Sequence, residues 1–427
     1  MDPETPRQII AAVEERRGET VAFLQRLVQF DSVTGNETEI QAFIADHLKE
    51  LGLRVDRFDT DPDVLRQYPG FLEPEKPLAG RPNVVGVWKG RGAGRSLLLN
   101  GHVDTVPLEP LGEWARGPLS GSLADGKVWG RGASDMKGGV AAMTMAVAIL
   151  KDMGLRPRGD VTLEYVVDEE RTGLGTLGCV QRGYRADAGI CCETSDLEVM
   201  PACIGRMWFT IRVRGKPAGI SARWEGVSAI DKAMKFVGAV EALEAMRIQD
   251  LRHPLFPDNR GALPCAVTMF QSGTFPSITP EEATLRGSMG LMPYEDPAQA
   301  EAQLRAQIMR VCEADPWLRH NPAELTTKGG YVAAGAEIPT DHPIVDAINR
   351  SFRQVTGKEP VLSARMGASD TRFLIRQGHT PTVIFGPGPT SQMHAMNEHV
   401  PVENVVIAAK VLALAIHDWC NREPPSA

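Results

Sequence analysis

Apolar residues recur every three or four positions through "AAVEERRGETVAFLQRLVQF" and again through "TEIQAFIADHLKELG". This spacing predicts one long amphipathic helix and a second that stops at Gly52. Beyond a Pro-rich loop between Tyr68 and Pro82, short apolar runs alternate with helical stretches. "NVVGVW", "SLLLN", "VTLEYVV", "AGICC" and "TPTVIF" read as buried strands, with "GGVAAMTMAVAILKDMG" a strong helix between the second and third. Continuous apolar strands separated by helices are the pattern of an α/β sheet covered on both faces.

The middle of the chain reads differently. "MWFTIRVRG", "PCAVTMF" and "ATLRGSMGL" are strands of mixed polarity, interleaved with helices at "GVSAIDKAMKFVGAVEALEAM" and "PAQAEAQLRAQIMRVCEA". They predict an α+β domain over residues 204–320, inserted into an α/β domain formed by 1–203 and 321–427. The α/β pattern resumes with "HPIVDAINRSFRQVTG" and "TPTVIFGPG".

A length of 427 residues agrees with more than one core. The net charge of −8 is spread along the chain without a basic block, which excludes a nucleic-acid partner as an expectation. No apolar run approaches the roughly 20 residues that cross a bilayer, so no membrane is expected either. The start, "MDPETPRQII", lacks the basic and apolar segments of a secretory signal, and the expected location is cytoplasmic. The seven cysteines are odd in number and form no CxxC pair, so buried reduced thiols are expected.

Candidate chemistry gathers where the apolar strands end. "SLLLNGHVD" delivers His102 and Asp104, "VTLEYVVDEE" Glu169 and Glu170, "AGICCE" Glu193, and "TPTVIFGPGPTSQMH" His394. Ligands of open α/β sheets bind beyond the carboxyl ends of the strands, and each of these groups falls there. Asp135 joins them from "GRGASDMKGG", a Gly-rich segment that opens the strong helix. Singly, each residue has an ordinary explanation as a loop histidine, turn former, solvated pair or helix cap; agreement among five such positions points to a site.

Imidazoles with carboxylates suit one or two divalent ions, zinc, manganese or cobalt. A pair of ions about 3.5–4 Å apart would need a bridging carboxylate, and Asp135 is the candidate. Asp104, two residues after His102, is placed to orient that imidazole through its second ring nitrogen. Of the adjacent Glu169 and Glu170, one can bind metal while the other takes the proton of a metal-activated water and returns it to a leaving nitrogen. The chemistry implied is hydrolysis.

Four segments in order, "NGHVDTVP", "WGRGASDMKGGVAA", "VVDEERTGLGT" and "GPGPTSQMHAMNEHVPVE", resemble the signatures of the metallo-aminoacylases. That family includes acetylornithine deacetylase, succinyl-diaminopimelate desuccinylase and glutamate-releasing carboxypeptidases, and the likeness covers nearly the whole chain. It implies an aminopeptidase-like catalytic α/β domain with an inserted α+β lid that makes a homodimer. It also implies His102 and Glu193 on one metal, Glu170 and His394 on the other, and Asp135 bridging. Glu169 takes the role of general base and Asp104 that of orienter. "GASDTRF" resembles the substrate-carboxylate loop, nominating Ser369 and Arg372, with a surface-helix arginine as the plain alternative.

Two positions depart from the family. Gly219, in "GKPAGISARWEGVSAI", stands where members carry a histidine that crosses the dimer to hold the substrate oxyanion, and Arg223 is the nearby cation that would replace it. Gly290, in "GSMGLMP", stands where some members carry an arginine of the carboxylate clamp. Three readings follow: a metal-dependent hydrolase that deacylates an N-acyl amino acid or similar carboxylate-bearing amide; hydrolytic deamination of an activated aromatic amine such as 5-nitroanthranilate; or a non-catalytic binding protein of the same fold. Retention of every ligand and of Glu169 argues against the third.

Overall fold

The computed structural model describes residues 4–424, which divide into two compact units. One comprises the chain up to Ala202 with Glu337–Ala364 and the chain from Ser369; the other is Cys203–Ala336 with Arg365–Ala368. The first is α/β and the second α+β. Where periodicity ends the insertion at 320, its sheet continues through Glu324–Thr326 and Val332–Ala333, both paired with Gly205–Arg214. Strands this short carry too few apolar residues to register as a pattern.

The first unit is built on six strands in the order Arg54–Phe58, Asn83–Trp88, Val161–Val166, Leu97–His102, Ala188–Cys191 and Thr382–Ile384. The last four run parallel, and the first two pair antiparallel. Every residue of Asn83–Trp88, Leu97–His102 and Val161–Val166 is buried, as cover on both faces requires. After Leu97–His102 the chain adds Val161–Val166 on one side and Ala188–Cys191 on the other. The order therefore reverses beside the end of Leu97–His102, the place at which open α/β sheets bind ligands.

The helix Gly138–Asp152 is buried from Gly138 to Leu150 and packs on the C-terminal helix Val402–Cys420. Their apolar residues join those of the strands in one core. The stretch Ala133–Asp152 is long and apolar enough to cross a bilayer by composition, which corrects the expectation that no run approaches that length; its apolar window is wholly buried in the protein. The single N-terminal helix expected is two, Glu4–Glu15 and Arg17–Val28, broken at Arg16. All seven cysteines are buried.

In the second unit Gly205–Arg214 pairs antiparallel with Glu282–Leu291, which pairs with Cys265–Ser272. Burial alternates along Gly205–Arg214, the mark of a sheet with one covered face. The helices Ala229–Asp250 and Pro297–Ala314 supply the cover, contributing Phe236, Val240, Leu304 and Ile308 to the unit's own core.

Candidate metal centre

The parallel strands bring His102, Glu169, Glu170 and Glu193 to one end of the sheet, and two loops add Asp135 and His394. His102 closes its strand and is 1% exposed. Its Nε2 lies 3.2 Å from Asp135 Oδ1, 3.4 Å from Glu193 Oε1 and 4.0 Å from Glu169 Oε2. His394 Nε2 lies 3.0 Å from Glu170 Oε2 and 3.6 Å from Asp135 Oδ2. The two oxygens of Asp135 thus face two different imidazoles, the geometry a bridging carboxylate needs.

Asp104 is fully buried, and it positions more than His102. The imidazole Nδ1 sits 3.0 Å from the Asp104 main-chain oxygen, nearer than its carboxylate at 3.7 Å. The carboxylate accepts instead from the main-chain N–H of Glu169 at 3.1 Å, from that of Glu170 at 3.2 Å and from the Thr34 hydroxyl at 2.9 Å. One side chain therefore fixes the peptide on which both glutamates stand.

Glu398, quoted within a signature but given no role there, is 1% exposed. It accepts from the N–H groups of Gly132, Ser134 and Asp135 at 2.9, 2.8 and 3.0 Å, and from Arg131 Nη1 at 3.0 Å. No spacing rule exposes this role, because it depends on the segment 130–135 wrapping around a carboxylate brought from far along the chain.

The donor set fits divalent ions. One ligand atom from each of His102, Asp135 and Glu170, and likewise from His102, Glu169 and Glu193, lie within 4.8 Å of one another. Burial raises Asp135 above the carboxylate range, and the charges of Glu193 and Glu170 raise it further. Burial likewise lifts Glu169 well above that range against the pull of His102, with Asp370, Glu193 and Glu170 adding to the rise. Crowded carboxylates in a dry place repel one another, and a cation among them relieves both costs.

The remaining nominated residues lie elsewhere or face inward. Ser369 and Arg372 are 0% and 3% exposed, and the guanidinium donates to the main-chain oxygens of Ser369 at 3.1 Å and Thr172 at 2.8 Å. This corrects the surface alternative for Arg372, which is buried and braces two main-chain segments. Gly219 and Arg223 belong to the second unit, exposed, around the turn Ile220–Glu225. Arg223 and Trp224 line a groove of ≈ 1040 Å³ with Ile220, Phe275 and Ile278. At Gly290 a Cβ would come within 2.3 Å of the Ala262 oxygen and 2.9 Å of Pro264 Cδ. The main chain of Ala262–Pro264 fills the space in which a side chain at 290 would begin.

Imidazoles and crowded carboxylates gathered at a strand-order reversal fit a metal-dependent hydrolase. Residues 98–418 match peptidase family M20/M25/M40, and the chain belongs to that family. It is 29% identical over 432 aligned residues to the N-formyl-4-amino-5-aminomethyl-2-methylpyrimidine deformylase of Bacillus subtilis, covering 96% of this chain and 97% of the relative. It is 30% identical over 337 residues to a succinyl-diaminopimelate desuccinylase of Cereibacter sphaeroides, covering 76% and 84%. Its fold is similar to that of a tripeptidase from Staphylococcus aureus, with a TM-score of 0.72 at 22% identity over 95% of this chain and 99% of the other.

Proposed function

We propose that the protein removes a small acyl group, formyl foremost, from the nitrogen of a small amine. The observation that carries this reading is similarity along essentially the full length to a deformylase, joined to a centre whose donor set fits hydrolysis. The desuccinylases are N-acyl hydrolases by name as well, which supports amide cleavage over aromatic deamination. The amine portion is proposed to need no carboxylate. Arg372 Nη1 and Nη2 donate to main-chain oxygens, and a side chain at Gly290 would meet Ala262–Pro264.

His102 and Glu193 would hold one ion, Glu170 and His394 the other, with Asp135 shared. Such ions supply Lewis acidity, acidifying water and polarising the scissile carbonyl. Glu169, 4.0 Å from His102 Nε2, takes the proton from the attacking water on its carboxylate and passes it to the departing nitrogen. Asp104 keeps Glu169 and Glu170 in fixed relation throughout. The exposed Arg223 is proposed to supply the charge for the oxyanion in a homodimer formed through the second unit.

The test incubates protein loaded with zinc, manganese or cobalt with N-formyl aminomethylpyrimidines, N-formyl and N-succinyl amino acids, and amino-substituted nitrobenzoates, reading formate, succinate and ammonia. Formate from the pyrimidines above the other amides is expected. Ammonia without acyl release would replace the reading with aromatic deamination, and turnover confined to amino acid amides would return a carboxylate to the substrate.

A further inference from the structure

Glu398 lies four residues after His394, on the loop that brings this imidazole to the centre. Its carboxylate is committed entirely to the segment that carries Asp135, 264 residues away from Ser134 in sequence. Oε1 accepts from Ser134 and Asp135, and Oε2 from Gly132 and Arg131. Its main-chain oxygen also accepts from Gly130 N–H at 2.9 Å. Arg131 Nη1 donates in addition to the oxygen of Ala395, the residue after His394, at 3.0 Å. Arg131 and Glu398 are 3% and 1% exposed, so water has little access to compete for these bonds, and a buried charge left short of partners is strongly disfavoured.

This clamp ties together two loops, one carrying His394, which serves a single ion position, and the other carrying Asp135, whose Oδ2 faces that imidazole and whose Oδ1 faces His102. His102 and Glu193 leave neighbouring strands held by sheet pairing, and they do not depend on it. His394 and the second oxygen of Asp135 do. We infer that Glu398 is a positioning residue that keeps the ion position of Asp135, Glu170 and His394 in register with that of His102, Asp135 and Glu193, so that its loss weakens one ion selectively. The inference rests on the ligand assignment of the proposed function.

The experiment titrates the metal-stripped full-length chain with zinc against a chromophoric chelator, and with cobalt by its absorption spectrum. The wild type is expected to take up two equivalents. Glu398→Gln, nearly isosteric, should bind one equivalent as the wild type does and the other about 10–100-fold less well, losing one set of cobalt bands. Arg131→Lys, which leaves the three main-chain bonds to Glu398, should weaken the same ion less, and it decides the matter if Glu398→Gln does not fold. Equal weakening of both ions, as a generally loosened fold would give, overturns the inference, as do unchanged affinities for both. A wild type that binds no divalent ion overturns the ligand assignment with it, whereas two ions held equally by wild type and variants overturn only the clamp.

Discussion

Replacing Asp104 by Asn tests whether one buried carboxylate sets both the base and a metal ligand. Asp104 Oδ1 accepts the Glu169 N–H and Oδ2 the Glu170 N–H. Asn has one oxygen, so one of these two N–H groups must face an NH₂ whichever way the amide turns. The Thr34 hydroxyl can rotate to accept from that NH₂, but a main-chain N–H cannot. A buried donor left without an acceptor costs about 1–3 kcal/mol, and at 1.36 kcal/mol per tenfold this is about 5–150-fold. The loss falls on kcat if Glu169 shifts and on ion affinity if Glu170 shifts. Both are measured, using kcat and KM on the best substrate of the panel, chelator competition for the ion, and circular dichroism for the fold. Thr34→Val removes a single donor and should cost less than about tenfold. An Asp104→Asn protein within twofold of wild type in both kcat and ion affinity would refute the coupling.

Glu169→Gln should lower kcat by about 10²–10⁴ while the ion content by elemental analysis stays at the wild-type value; retained turnover would remove Glu169 from the base role. Burial pushes the Glu164 carboxyl from the ordinary 4.5 up to about 8. The unfolded chain therefore loses this proton first, and the stability contributed is full below 4.5, falls by up to about 1.4 kcal/mol per pH unit above it, and levels off beyond 8. Glu164→Gln should flatten the melting temperature of the metal-loaded protein against pH across that window, and equal slopes in both proteins would contradict the assignment. Gly290→Arg should lower the melting temperature, since overpacking costs about 1–3 kcal/mol, without creating turnover of N-succinyl amino acids; a stable variant that gains such turnover would show the space is open. Arg223→Ala should cut kcat about 10²–10³, and mixing it with Glu169→Gln after subunit exchange should restore about a quarter of wild-type activity if each copy serves the other's site. No restoration would argue against service across copies.

The strands that end at His102, Val166 and Cys191 were legible because both faces are buried, and a run of apolar residues followed at once by a charge marks where such a strand meets solvent. Arg54–Phe58 was not legible: at the sheet edge, "RVDRF" keeps only intermediate and exposed positions. The main-chain bonds of Arg372 were not legible, because a motif gives a residue's place and not the direction of its guanidinium. Asp104 was legible as a partner of His102 from its spacing. That its carboxylate holds the glutamates was not, since the contact joins residues on neighbouring strands whose order no local pattern reveals. The same holds for Glu398, whose partners are known only once the segment after Gly130 is folded around it.

The filled space above Gly290 limits the order in which the chain can change. A side chain cannot be added at 290 until Ala262–Pro264 has moved, yet moving that segment alone brings no new contact to a substrate. Selection for a different substrate would therefore meet an intermediate with nothing to recommend it, and the quicker routes to altered specificity run through positions such as 219 and 223, where neighbouring atoms leave room for change.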